Sequence, residues 1–153
     1  AEPERFDLHA VLDSITQAYG DAYAGRAFEF ACDVDTAAVK GSPELLIQML
    51  DKLVGNAVDF SNDGDTISIG LSGTDGTFEI TVSNPGPPLP ERMRSQMFDS
   101  MVSMRGGKAS KHLGLGLYVA RLIAEGHGGR ISADNTDSGV CFTVTVPRSK
   151  PSQ

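Results

Sequence analysis

The sequence predicts a two-layer α/β sandwich: a mixed, mostly antiparallel sheet covered on one face by helices. Three observations predict it. Helical segments are separated by pairs of strands, so the alternation of a doubly wound parallel sheet is absent. Two strands with alternating apolar residues flank Thr74-Asp75-Gly76, the signature of a hairpin. Each long helix carries an apolar stripe on one side only, which suits packing on a single sheet face.

Leu8, Val11, Leu12 and Ile15 recur at helical spacing, and Asp7 stands where a cap belongs, so a helix runs from Asp7 to about Ala24. Phe28-Glu-Phe-Ala-Cys32 alternates and reads as a strand, followed by a short strand at Ala38 to Gly41. Ser42 suits an N-cap and Pro43 a first helical turn. The helix they open has Leu46, Met49, Leu50, Leu53, Val54 and Ala57 on its apolar face and ends near Phe60, before Ser61-Asn62-Asp63-Gly64. Thr66 to Leu71 and Thr77 to Val82 form the hairpin, with Ile67, Ile69, Leu71, Phe78, Ile80 and Val82 on one face.

From about residue 85 to 112 the chain is rich in Gly, Pro, Ser and Met, with one short helix from Glu91 to Phe98. Long irregular segments inside compact domains are usually functional or mobile. A helix follows from Gly114 to about Glu125, with Gly126 near its end. Two strands, Arg130 to Asn135 and Val140 to Val146, then flank Asp137-Ser138-Gly139, and Pro147 begins a frayed tail.

The 153 residues make one domain, with its core at about 6 to 147. The net charge of −7 excludes nonspecific nucleic-acid binding, which needs a basic face. It does not exclude an anionic small ligand, whose charge a bound cation and a few local side chains can neutralise. Cys32 and Cys141 sit in apolar, strand-like settings and read as buried thiols; the absence of CxxC spacing argues against zinc. No apolar run approaches the ~18 residues of a membrane span, and Ala1-Glu-Pro-Glu is not a signal peptide, so no direct membrane contact is expected of this domain.

Three separated segments carry the chemistry. In residues 46 to 61, Asn56 lies at the border of the apolar stripe, where an amide oxygen can ligate a hard cation. In residues 82 to 91, a hairpin strand runs into Asn84-Pro85-Gly86-Pro87-Pro88-Leu89-Pro90. In residues 112 to 129, Gly114-Leu115-Gly116-Leu117 opens a helix, where glycines admit phosphates close to the backbone and free N–H groups attract anions. This segment does not follow the first strand and lacks the complete dinucleotide fingerprint, which excludes a Rossmann site.

Taken together, these segments resemble the ATP-binding domain of sensor histidine kinases, within the GHKL ATPase superfamily. The resemblance covers roughly Phe6 to Pro147 and implies the Bergerat fold, with a long ATP lid at about 85 to 112. It implies Mg²⁺ and ATP as cofactors, with Asn56 bridging the metal and the triphosphate. Asn84 stands where the family has an adenine-reading Asp; a carboxamide still accepts from the adenine amino group, and Pro88 replaces a second Gly. Gly86, Pro87 and Leu89 belong to the same loop. His112 replaces the first Gly of the family's glycine box, leaving Gly114, Leu115, Gly116 and Leu117 intact. Phe98 and Met101 match the family's F box, as lid anchors or docking residues, or else core filling for Phe98, and Gly106-Gly107 offers the lid a hinge. Arg105, with Lys108 and Lys111, is a candidate to neutralise the β- and γ-phosphates.

On the Asn56 helix the chain departs from the family. Lys52 stands where an Asn or another polar or acidic residue is usual, and Asp59 where a Lys or Arg is usual. Lys52 either takes over a phosphate or acceptor-side contact, or both residues are solvated charges. No histidine has the acceptor pattern: His9 is followed by Ala10-Val11, and His127 precedes Gly128-Gly129, a helix exit with a structural role. The acceptor-histidine and sensor domains are therefore expected to be absent.

The resemblance implies a protein-histidine kinase catalytic domain of two-component signal transduction. Such a domain binds Mg²⁺-ATP and donates the γ-phosphoryl to a histidine on a separate dimerisation domain, from which it passes to a response regulator receiver domain. Alone, it is expected to be monomeric, to bind nucleotide and scarcely to turn over. Its expected setting is the cytoplasmic side of an inner-membrane sensor. The alternatives are a degenerate nucleotide-binding or protein-interaction module, motivated by Lys52, Asp59, Asn84 and Pro88; an anti-sigma-type serine kinase; and a hydrolytic GHKL ATPase, disfavoured because Lys52 replaces the general-base Glu of those relatives.

Overall fold

Asp7 ends one element and begins the next. Its Oδ1 accepts the His9 N–H at 3.1 Å, capping the first helix, and the Ala37 N–H at 2.8 Å. The structure is a computed structural model that describes residues 2–99 and 108–149, with side chains for 2–99 and 116–149. Along the chain run β1 (Glu4–Asp7), α1 (Leu8–Ala22), β2 (Ala27–Cys32), β3 (Ala38–Gly41), α2 (Pro43–Phe60), β4 (Thr66–Thr74), β5 (Thr77–Pro85), α3 (Glu91–Gln96), α4 (Lys108–Gly126), β6 (Arg130–Asn135) and β7 (Gly139–Pro147).

The main sheet has the order β2-β4-β5-β7-β6. Only β2 and β4 run parallel; the other neighbours are antiparallel, as the hairpin pattern requires. Helix α1 lies on β2, α2 on β5 and β4, and α4 on β6 and β7, all on one face. The inward residues of the central hairpin, Ile67, Ile69, Leu71, Phe78, Ile80 and Val82, are buried against Leu46, Met49, Leu50 and Leu53 of α2. Leu53 is wholly buried, so its truncation to Ala should cost about 2–5 kcal/mol. The opposite face carries Ser68, Ser72, Thr81, Ser83, Thr143 and Thr145, which tolerate water.

Several elements differ from the sequence expectation. Glu4–Asp7 was not expected to be a strand; it pairs antiparallel with β3, so β3 belongs to a separate two-stranded sheet. The central hairpin extends further, because the ladder continues from Thr74↔Thr77 through Ser68↔Ser83. Cys32 is exposed, since it ends an edge strand where no helix covers it, and Cys141 is half-buried because it points to the open sheet face. Neither is a buried core thiol. The residues after Pro147 do not fray at once: the Arg148 N–H donates to Gly76 O at 3.0 Å, Arg148 Nε to Thr74 O at 2.8 Å, and the Ser149 N–H to Ala38 O at 2.8 Å.

Helix α2 is held at both ends. At its start, Ser42 Oγ accepts the Leu45 N–H at 3.2 Å. The Ser42 N–H donates to His127 Nε2 at 3.0 Å, while His127 Nδ1 lies 2.8 Å from Ile123 O. These partners place the imidazole proton on Nδ1 and give His127 the structural role expected of it. At its end no basic residue of α2 itself faces the last carbonyls. Arg26 supplies the cation from the α1–β2 connection. Its Nη2 donates to Val58 O at 3.0 Å and Ser61 O at 3.1 Å, and its Nε to Ser61 Oγ at 2.7 Å.

Candidate functional site

The buried stripe of helix α2 is interrupted at one polar position. Asn56 is only 4% exposed, on a helix whose neighbouring buried residues are apolar. Among the described residues its Nδ2 has no hydrogen-bond partner. Buried amides are almost always satisfied, so this one has a donor left over for water or a ligand. Asn56 lines a pocket of about 340 Å³ together with Tyr23, Asp51, Lys52, Asp59 and Gly116.

Gly116 is the near wall of this pocket. A methyl group there would sit 3.6 Å from Lys52 Cβ and 3.8 Å from Asn56 Nδ2. The glycine thus seats the Lys52 stem and the Asn56 amide against α4. This is a different use of the glycines from the one the sequence suggests. Helix α4 begins at Lys108, not Gly114. Lys108-Ala109-Ser110-Lys111 holds good helix formers and no proline, so the helix extends back through it. Only the first four N–H groups of a helix lack an intrahelical acceptor, which puts Gly114 and Gly116 in the interior. Leu117 is fully buried in the core. Arg105, Met101 and the Gly106-Gly107 hinge lie outside the described residues, as do the side chains of Lys108, Lys111, His112 and Leu115.

The second segment meets the same helix one turn later. Gly86 has φ +148°, a conformation that L side chains rarely adopt, and a methyl there would lie 3.1 Å from Phe60 O at the end of α2. Asn84, also 4% exposed, is the penultimate residue of β5, with Nδ2 donating to Pro85 O at 2.9 Å. Leu89 sinks its side chain into the core, whereas Pro87 and Pro88 are exposed. Phe98 is half-buried and meets Phe142 edge to face at 6.3 Å, so it fills the edge of the core. The structure thus gathers Lys52, Asn56 and Gly116 around one pocket and places Asn84 and Gly86 at the end of the same helix.

Sequence reasoning missed the outer rim. The Tyr19 hydroxyl, on α1, donates to Asp51 Oδ1 at 2.6 Å. Burial, reinforced by the Asp51 carboxylate, raises the Tyr19 hydroxyl well above its ordinary range. Tyr19 also stacks with Tyr23 and Phe28, so α1 and β2 brace one side of the pocket. The aromatic spacing of Tyr19 and Tyr23 on a helix was visible, but a partner 32 residues away was not.

Among the described residues no three His, Cys, Asp or Glu side chains form a metal cage. Mg²⁺ commonly keeps waters and substrate phosphates as ligands beside one or two protein oxygens, so a single amide oxygen is compatible with it. The Asn56 carboxamide fits that role. It is buried and unmet, and a half-turn of the amide presents its oxygen in place of Nδ2.

Residues 41–150 match the family described as histidine kinase-, DNA gyrase B-, and HSP90-like ATPase. A heme sensor protein, HssS of Staphylococcus haemolyticus (strain JCSC1435), is 35% identical over 116 residues, covering 75% of this chain and 25% of that protein. The catalytic domain of histidine kinase ThkA superposes with a TM-score of 0.85 at 25% identity, covering 99% of this chain and all of that one. A structure of ThkA in complex with the response regulator TrrA matches with a TM-score of 0.81, covering 96% of this chain and 42% of the ThkA chain. The chain spans about a quarter of the length of curated sensor kinases that it matches.

Proposed function

Because the chain belongs to the histidine kinase-, DNA gyrase B- and HSP90-like ATPase family, we propose that it binds Mg²⁺-ATP and donates the γ-phosphoryl to a histidine on a separate dimerisation domain. The observation that carries this reading is Asn56, a buried and unpartnered amide facing a pocket shared with Lys52 and Gly116. The likeness to the ThkA catalytic domain, and the ThkA complex with a response regulator, support a receiver domain as the next acceptor. We place the domain on the cytoplasmic side of a membrane-anchored sensor and expect it to be monomeric alone. Among the described residues no helix is long and apolar enough to cross a membrane.

Asn56 would hold Mg²⁺ here, and the bound cation would supply positive charge to offset the negative charge that shifts during transfer. The chain's own residues position the reactants. Asn56 offers one ligand oxygen from a rigid, buried helix face. Lys52, on the same pocket wall, brings its ammonium to the triphosphate, and Arg105 and Lys111 are the lid-side cations. Lys111 and His112, with Gly114 and Leu115, lie on α4, the helix whose Gly116 lines the pocket. Asn84, Gly86, Pro87 and Leu89 hold the base. An imidazole nitrogen of the acceptor attacks the γ-phosphorus; a P–N bond forms, the bond to the bridging oxygen of the β-phosphate breaks, ADP departs and the imidazole releases its proton. This chain activates no nucleophile; its contribution is orientation and charge.

Calorimetric titration with a non-hydrolysable ATP analogue tests the reading, with and without Mg²⁺. Wild type should bind in a Mg²⁺-dependent manner. Asn56→Ala should abolish the Mg²⁺ dependence, Asn84→Ala should weaken binding, and Lys52→Ala should lower both affinity and phosphotransfer to a supplied acceptor domain. No heat at millimolar nucleotide would refute nucleotide binding and favour an interaction module. Binding without phosphotransfer would favour a degenerate domain.

A further inference from the structure

The arc from Asn84 to Pro90 has few ways to be held. Pro85, Pro87, Pro88 and Pro90 carry no N–H. Between Asn84 and Glu91 the backbone therefore offers donors only at Gly86 and Leu89, and the β6–β7 end of the sheet takes both. The Gly86 N–H donates to Ser138 O at 3.1 Å. The Leu89 N–H donates to Asn135 Oδ1 at 2.7 Å, and Asn135 Nδ2 donates back to Leu89 O at 3.1 Å. One carboxamide thus brackets one residue, as a neighbouring strand would.

The bracket stands level with Asn84. Asn135 pairs with Val140 across β6 and β7, and Val140 pairs with Asn84 across β7 and β5. Gly139 makes the approach tight, since a methyl there would fall 1.9 Å from Asn84 O. Leu89 is anchored from the other side by its buried side chain. Arg94 of α3 also reaches Asp134 at 3.2 Å, but this pair is exposed and worth little.

This matters because the base-reading residue is an Asn. A carboxamide has an accepting and a donating end, and by turning over it can satisfy either the amino group of adenine or the carbonyl of guanine. Here the Asn84 amide is not free to turn: its Nδ2 is committed to Pro85 O at 2.9 Å, leaving Oδ1 as the end that can accept. The Pro85 carbonyl shares its peptide plane with the Gly86 N–H, which Ser138 O holds, and the Leu89 bracket fixes the other end of the same loop.

We propose that Asn135 is a positioning residue that sets adenine over guanine selectivity, by bracketing Leu89 and so fixing the loop that holds the Asn84 amide in its accepting orientation. The proposal rests on the nucleotide reading above. The test is calorimetry of the 153-residue chain with Mg²⁺ and the non-hydrolysable analogues of ATP and GTP. Wild type should prefer the adenine analogue. Asn135→Ala should weaken adenine binding by about tenfold and shrink the adenine-to-guanine ratio. Asn135→Asp, which keeps the acceptor for the Leu89 N–H but sets a carboxylate oxygen against Leu89 O, should also shrink the ratio. It also supplies the comparison if Asn135→Ala does not fold.

A purely structural role would lower the thermal midpoint and leave the ratio untouched, and that result overturns the proposal. In an Asn84→Asp background both carboxylate oxygens accept, so the ratio should no longer respond to residue 135; a response there also overturns it. If wild type binds neither analogue, the nucleotide reading falls and the proposal with it. If wild type binds both equally, only the proposal falls.

Discussion

Replacing Arg26 by Ala removes the group on which α2 ends, and α2 carries the candidate site. The guanidinium makes contacts of unequal weight. Its pair with Asp63 at 2.8 Å involves a carboxylate 94% exposed, so it contributes at most about 1 kcal/mol and is screened by salt. The bonds to Val58 O, Ser61 O and Ser61 Oγ are made by a side chain only 14% exposed. At roughly 1 kcal/mol net for each, their loss destabilises the domain by about 3 kcal/mol. For a chain of this size that lowers the thermal midpoint by about 6–12 °C. Urea unfolding at fixed pH and salt measures it as a fall in midpoint at constant slope. Arg26→Lys keeps the charge but not the fork, and should recover less than half of the loss. A loss below about 1 kcal/mol for Arg26→Ala would refute the assignment of Arg26 as the cap of α2.

The remaining expectations concern titration, packing and charge. Tyr19 is raised above its ordinary value of 10.0, so the folded state keeps a proton that the unfolded chain releases; its contribution is complete below about pH 10 and falls as pH rises beyond, by about 1.4 kcal/mol per pH unit. Tyr19→Phe should remove that slope from urea titrations at alkaline pH, and an unchanged slope contradicts the assignment. A methyl at Gly41 would fall 2.1 Å from His127 Cδ2. Gly41→Ala and His127→Ala should therefore be strongly non-additive, with the double variant more stable than the sum of the singles by about 1 kcal/mol or more. Asp59→Lys exchanges a repulsive charge on the pocket wall for an attractive one, and should tighten ATP binding by about tenfold at low salt, with the gain shrinking as salt rises.

The parts of the fold that were readable from sequence are those fixed by local chemistry. Ser42-Pro43 set the start of α2, and the alternation around Asp75-Gly76 set the β4–β5 hairpin, whose Gly76 adopts φ +82°. Asn56 stood out because its position on the stripe is a matter of helical spacing alone. What could not be read depends on partners distant in sequence. Glu4–Asp7 is too short to alternate and becomes a strand only because Ala38–Gly41 lies beside it. Arg26, Asn135 and the Tyr19–Asp51 pair are ordinary polar residues until the fold brings their partners within reach. The start of α4 was misplaced for a different reason. Glycine weakens a helix by about 1 kcal/mol without forbidding it, so the Gly-Leu-Gly-Leu run does not mark the boundary.

The geometry of α2 also orients a nucleotide on the proposed reading, and it explains how a chain of net charge −7 can hold a triphosphate. The Gly86 loop touches Phe60 O, at the C-terminal end of the helix. That end carries the negative pole of the helix dipole and a row of carbonyls, a poor environment for phosphate and a good one for the donor edge of a base. Lys52 lies two turns earlier, against Gly116, and brings a positive charge to the pocket. The base therefore belongs at the Phe60 end and the phosphates toward Lys52, with Asn56 between them. In this arrangement the exchange of charges at positions 52 and 59 is not arbitrary: the cation sits on the phosphate side of Asn56, and Asp59 sits toward the base. Reversing both, as Lys52→Asp with Asp59→Lys, should recover only part of what Lys52→Asp alone removes, because the restored cation would stand farther from the phosphates, toward the base. Full recovery of ATP affinity in that double variant, measured by titration, would show that net pocket charge rather than its order along the helix governs binding.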